Sequence, residues 1–206
     1  MRLLWVCLLS LGLSGPTTAC ELALVLAVDV SGSVDPDEYA TQMQGLAAGL
    51  RDGAVSDAVV RSKAAIALVQ WTGASRQETS LDWTRIETHA DVEALAQAIT
   101  RIPRGWRNFS TAIGEALKFA LPMFDAVPDC DRRVIDVSGD GVSNEGAEPL
   151  SVHPALREAG VTVNALVNCA RHSPSVFVIF SIVAPPVSVS CETVVGETLR
   201  AGVRRA

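Results

Sequence analysis

One stretch limits the fold of this chain more than any other: Leu22–Ser33, LALVLAVDVSGS. The run Leu22–Val28 is continuously apolar and stops at Asp29. A short apolar run without alternation, bounded by polar residues, fits a strand buried on both faces, as in a parallel sheet covered by helices on each side. In open α/β sheets, ligands bind outside the carboxyl ends of the strands. Asp29, Ser31 and Ser33 stand at such an end. One carboxylate and two hydroxyls make an all-oxygen set, which suits a hard cation such as Mg2+. The same residue types also serve ordinary turns and helix caps, so this stretch alone leaves both readings open.

The chain that follows alternates between helical and strand patterns. Asp35 is placed to cap a helix, with Pro36 at its first position and Glu38 completing a capping box. Tyr39, Met43, Leu46 and Leu50 recur at helical spacing, and Gly53 is expected to close the helix. The positive end of that helix would face the Asp/Ser cluster. Ala64–Trp71 reads as a second buried strand, and Gln77–Trp83 as a short hairpin partner at the sheet edge. Val92, Leu95, Ile99 and Ile102 share one face of a helix over Asp91–Ile102, which Pro103 stops. A loop, Arg104–Thr111, leads into a helix over Ala112–Leu121, with Pro122 after it. Arg133–Ser138 is a strand running into the turn Gly139-Asp140-Gly141. A helix around Pro154–Ala159 ends at Gly160, and Val161–Val167 is a further strand. This alternation is the signature of βαβ units in one α/β domain. Residues 168–206 form an atypical end, with two Glu and no Asp. Val176–Val183 reads there as a strand and Thr193–Val203 as a weak helix interrupted by Gly196 and Gly202.

Charge and cysteines bound the setting. The first 19 residues carry Arg2, an apolar core Leu3–Leu13, the break Gly15–Pro16 and small residues up to Ala19. This is the pattern of a secretory signal, too short to span a bilayer. A lipoprotein signal acylating Cys20 is the alternative. Export to the periplasm or beyond the cell is therefore expected, with residues 20–206 as one domain. The formal charge is −6, with no basic run, which argues against a nucleic-acid partner. No stretch after the signal is long and apolar enough for a transmembrane span. Cys20, Cys130, Cys169 and Cys191 remain after the signal. An even count in an exported chain suggests disulfides, and without a Cys/His cluster a zinc site is not expected.

Three separated segments then stand together: Asp29-Val30-Ser31-Gly32-Ser33, Ser110-Thr111-Ala112-Ile113-Gly114 and Ser138-Gly139-Asp140-Gly141. The first and third end strands and the second opens a helix, so all three can meet at one sheet edge. In this order they resemble the DxSxS, Thr and Asp-Gly motifs of the von Willebrand factor type A domain and its metal-ion-dependent adhesion site, MIDAS. The stretches LAVDVSGSVD, TAIGEAL and RRVIDVSGDGVSNEG are similar to those of secreted bacterial A-domain proteins of unknown function. The resemblance covers about Glu21–Val167. It implies a three-layer, doubly wound, mostly parallel sheet flanked by helices, with one antiparallel edge strand. It also implies metal ligation by Asp29, Ser31, Ser33, Thr111 and Asp140, with Mg2+ as the ion and Mn2+ as a substitute, and a protein partner that offers a carboxylate. In the family's usual strand order, 3-2-1-4-5-6, strands 1 and 4 are neighbours. A Cys20–Cys130 disulfide at the edge opposite the motifs is then implied, and Cys169 could pair with Cys191.

Two other function classes stay open. A metal-assisted phosphotransferase or hydrolase would use Asp29 as nucleophile, but Ser31 stands where a second acid would donate the proton, and there is no G-x-S-x-G motif. A structural domain holding no metal is the third. Trp71, Trp83 and Trp106 fit packing roles, with Trp106 and Arg104 the candidates for touching a partner. His89, His153 and His172 read as isolated surface residues.

Overall fold

Strand β1 (Cys20–Asp29) is the axis of the molecule, because its side chains enter two different cores. Ala23, Val25 and Ala27 pack on one face of the sheet, and Leu26 and Val28 on the other. The apolar run is thus explained: from Val25 to Asp29 neither face of this strand meets water. The computed structural model describes residues 20–139, 142–168 and 177–182, with 165–168 and 177–182 described by backbone alone. The expected signal (1–19), Asp140, Cys169, Cys191 and the helix expected over Thr193–Val203 lie outside the described residues.

β1 pairs in parallel with β2 (Ala65–Trp71) and with β4 (Cys130–Gly139). β3 (Gln77–Arg85) lies antiparallel on β2 and forms one edge, as the alternating pattern predicts. β5 (Val161–Asn168) runs parallel to β4, and β6 (Phe177–Ile182) pairs antiparallel with β5, so the far edge also ends in an antiparallel strand. The order β3-β2-β1-β4-β5-β6 is the one the resemblance implies.

Helices α1 (Pro36–Arg51), α2 (Gly53–Arg61) and α3 (His89–Ile99) cover one face. Tyr39, Met43, Leu50, Val59, Val92, Leu95 and Ile99 fill it against Leu26, Val28, Ile66 and Leu68. Helices α4 (Ile113–Ala120) and α5 (Pro149–Glu158) cover the other face through Ala116, Leu117, Ala120, Val152 and Leu156. This is the doubly wound, three-layer arrangement.

Local chemistry explains where the elements depart from the sequence reading. Asp35 accepts from the backbone of Asp37 and Glu38, and Glu38 accepts from Asp35 N, so the capping box is present. Gly53, expected to end the chain's first helix, instead opens α2. Asp52 supplies the cap, its Oδ1 accepting from Ala54 N and Val55 N. α3 starts at His89 rather than Asp91, because Thr88 and Asp91 form a second capping box. α5 starts earlier than expected as well. Pro149 takes the first turn, where its missing N–H costs nothing, and Pro154 is carried inside the helix.

Cys20 and Cys130 are register partners on β1 and β4, and their sulfurs are bonded at 2.04 Å. The bridge closes the sheet at the edge opposite Asp29. Arg85 pairs with Asp129 beside it, with Nη2 to Oδ1 at 2.7 Å.

On β4, Asp136 accepts a hydrogen bond of 2.7 Å from Asn164 on β5. Burial raises its pKa above the usual 3.8, and the Asn164 bond only partly opposes this. The folded protein therefore keeps the proton to higher pH than the unfolded chain. Stability from this group falls as pH rises through the window between the unfolded and folded values. Asp136→Asn keeps an acceptor for Asn164 and removes the charge. Its urea midpoint is expected to exceed that of the wild type at pH 7 and to match it more closely at pH 3. Equal midpoints at both pH values would contradict this.

Candidate metal centre

Asp29 is the last residue of β1 and is fully buried. Its Oδ1 accepts from Ser31 N at 2.7 Å, which turns the chain sharply at the strand end. Val30 N is still bonded to the Trp71 carbonyl, so the turn remains anchored to β2. The turn sets the Ser31 and Ser33 hydroxyls 3.1 Å apart. Thr111 Oγ1, from the loop before α4, donates to Ser31 Oγ at 3.3 Å. Four of the five expected ligand residues thus meet at one sheet edge. Asp29, Ser31 and Thr111 are buried, and Ser33 is exposed, so the oxygen cluster opens to water on the Ser33 side. Asp140 lies outside the described residues, directly after the end of β4.

Neighbouring backbone fixes this cluster. Arg104 Nη2 donates to the carbonyls of Val30 (3.1 Å) and Ser31 (2.8 Å). Buried Gln70 holds the residues on either side of Arg104: its Nε2 donates to Pro103 O and its Oε1 accepts from Gly105 N, both at 2.9 Å. Gly32 N donates to Phe109 O at 2.8 Å, so the first and second loops are joined directly. A side chain on Gly32 would press on Asn108 and Phe109 at 3.3 Å.

The third loop is joined to the second as closely. Thr111 N donates to Asn144 Oδ1 at 3.0 Å, and Asn144 N returns a bond to Thr111 O at 2.9 Å. Ile113 N donates to Ser143 Oγ at 3.2 Å, and Ala147 N to Glu115 Oε1 at 3.0 Å. That last bond, with Lys118 alongside, holds the Glu115 carboxyl below its usual pKa. The helix α4 N-terminus, two residues beyond Thr111, adds positive partial charge toward the site.

Glycine also shapes the cradle. A Cβ on Gly139 would stand 2.9 Å from Asp29 Oδ2, so the end of β4 leaves the room that the carboxylate occupies. The donor set is one carboxylate and three hydroxyls, all oxygen. Among the described residues there is no group of three His, Cys, Asp or Glu that could hold a metal. The site's donors are oxygen alone, and hydroxyls with a carboxylate suit a hard ion better than one that favours nitrogen or sulfur.

The two expected partner contacts take these places. Trp106 is half-buried against the core on the α1 side, and Arg104 donates to the Asp29–Ser33 loop. Trp71 is fully buried, and Trp83 packs on Phe124 with Nε1 donating to Met123 O. His89 is not isolated: Nδ1 lies 2.9 Å from Ser56 Oγ and Nε2 lies 3.4 Å from Asp57. The roles of Gln70, Ser143 and Asn144 escaped the sequence reading. Asn144 stands in the motif stretch VSNEG, but only the fold brings it onto Thr111.

Comparisons with known proteins agree with this architecture. Proximal thread matrix protein 1 from the mussel byssus, in a structure with a zinc-occupied MIDAS motif, superposes with a TM-score of 0.57 at 22% identity, over 71% of this chain and 38% of that one. BatB from Bacteroides thetaiotaomicron gives 0.52 at 17% identity, over 77% and 80%. A von Willebrand factor type A protein from Catenulispora acidiphila gives 0.51 at 18%, over 71% and 33%. The chain thus spans less than half of the mussel protein's length, and at these identities the likeness is one of fold. A comparison with curated proteins gives no match. The sheet order and these likenesses make the fold a von Willebrand A-type domain, and a family profile matches residues 19–182; the chain belongs to the family described as "Protein of unknown function (DUF1194)".

Proposed function

We propose that this chain is an exported binding module that holds Mg2+ through Asp29, Ser31, Ser33, Thr111 and Asp140 and takes a carboxylate of a protein partner at the same site. The observation that carries this reading is the convergence of the Asp29 carboxylate with the Ser31, Ser33 and Thr111 hydroxyls at one open sheet edge. Bound there, Mg2+ would supply a Lewis-acidic position with few protein charges to neutralise it, and such an ion accepts outside oxygen ligands. The chain's part is positional. Asp29 is held by Ser31 N, Ser31 by Thr111, and the loop carbonyls by Arg104. Mn2+ would substitute in the same oxygen set.

Binding is favoured over catalysis because Ser31, not an acid, lies beside Asp29. Export is supported by the buried Cys20–Cys130 bridge, since stable disulfides belong to oxidising compartments. Among the described residues no helix is long and apolar enough to cross a membrane. The N-terminal 19 residues would be the signal that is removed.

Thermal unfolding in EDTA and in Mg2+ tests the reading. Mg2+ at 100 times its dissociation constant should stabilise the fold by about 2.7 kcal/mol. The rise should vanish in Asp29→Ala. Equal melting temperatures with and without Mg2+ in the wild type would count against a metal-dependent module.

A further inference from the structure

Beside the oxygen cluster the surface carries an assembly that the metal reading does not use. Phe109 is one of few large apolar side chains exposed among the described residues, and its own carbonyl is bonded to Gly32 of the site loop. Arg76, from the β2–β3 turn, lays its guanidinium over the Phe109 ring at 3.7 Å. Asn108, just before Phe109, is held at φ 62, a left-handed conformation that non-glycine residues seldom adopt. Phe109 is exposed there while its carbonyl stays bonded to the site loop.

The charge around this platform is distinctive. Residues 101–111, RIPRGWRNFST, contain Arg101, Arg104 and Arg107 and no acid, in a chain whose formal charge is −6. Arg101 turns to Gln97 and Arg104 to the site loop. Arg107 is exposed, and among the described residues neither Arg107 nor Arg76 has an ion-pair partner. Arg76 and Glu145 both reach over Gly73 without forming an ion pair.

We infer that Arg76, seated on Phe109, and Arg107 form a second contact for the partner, which is an acidic protein segment carrying several carboxylates. One carboxylate would go to the cation site and others to the arginines. This rests on the proposed function and adds what chooses the partner. A guanidinium stacked on an aromatic ring is pre-oriented, so it loses less freedom on pairing with a carboxylate. Like-charged rims also steer oppositely charged partners to the site.

Fluorescence anisotropy of a fluorescein-labelled hexaglutamate peptide with the purified protein tests this, in Mg2+ and in EDTA at low salt. Arg76→Gln with Arg107→Gln is expected to weaken peptide binding about 10-fold in both conditions. Phe109→Ala, which keeps both charges but removes the platform, is expected to weaken it about 3-fold. The Mg2+-dependent rise in melting temperature should be unchanged in both variants. If that rise is absent in the wild type while the arginine variant still weakens binding, the metal reading fails and the rim stands. Wild-type affinity in the arginine variant, or no peptide binding by the wild type, overturns the rim.

Discussion

Replacing both bridge cysteines, Cys20→Ala with Cys130→Ala, is expected to lower the unfolding free energy by about 4–5 kcal/mol, from the chain-entropy model for a long loop. The bridge spans 110 positions of sequence, so it removes more freedom from the unfolded chain than a short loop would. A domain of ordinary stability has about 5–15 kcal/mol in all, so this loss would take a large share of it. Both residues are almost fully buried, and truncating the sulfurs also leaves space in the core on the α4 and α5 side. Alanine avoids creating reactive thiols that could pair wrongly. Urea unfolding of the two proteins, compared at constant slope, measures the difference. A change below about 1 kcal/mol would mean that the unfolded chain is already constrained and that the entropic account of the bridge is wrong.

Gly114→Ala is expected to be the most damaging single conservative change, against the usual direction. Within a helix, exchanging Gly for Ala gains about 1 kcal/mol from propensity. Gly114 lies in α4, where a Cβ would collide with the carbonyl oxygen of Ala147. That atom belongs to the backbone of the third loop and cannot rotate away. Relief requires the loop to lift from α4, breaking the Ala147 N to Glu115 bond and disturbing the Asn144 clasp on Thr111. Overpacking typically costs about 1–3 kcal/mol, and a clash with backbone falls at the upper end, so after the propensity gain a net loss of about 2 kcal/mol is expected by urea unfolding. The damage should also reach the metal-dependent rise in melting temperature, because Thr111 would lose its support. A stability equal to or above wild type would show that the third loop yields at no cost and does not position Thr111.

The motifs that end strands were legible from sequence because their chemistry and their position coincide. Leu22–Val28 read as a strand covered on both faces, which put Asp29 at its end. Once the strand order was set by the resemblance, Cys20 and Cys130 followed to adjacent strands. Helix boundaries were less legible where one residue serves two elements. Asp52 both ends α1 and caps α2, so Gly53 looked like a stop and was a start. The supports of the site were not legible at all. Gln70 holds Pro103 and Gly105, on either side of Arg104, from 33 and 35 residues away, and Asn144 holds Thr111 across 33. No periodicity or motif spacing encodes such pairs, because they form only when two loops are brought together by the sheet. The stacking of Arg76 on Phe109 belongs to the same class.

Titration of Mn2+ into the purified protein, followed by the loss of the free-ion electron paramagnetic resonance signal, tests the central claim most directly. Mn2+ replaces Mg2+ in oxygen sites and reports binding without any partner. The account predicts one Mn2+ held per chain, displaced by excess Mg2+, and no binding at the same concentrations in Asp29→Asn, a variant close in size to the wild type. Retention of the full free-ion signal in the wild type, or binding that Asp29→Asn leaves unchanged, would contradict a metal centre at Asp29, Ser31, Ser33 and Thr111.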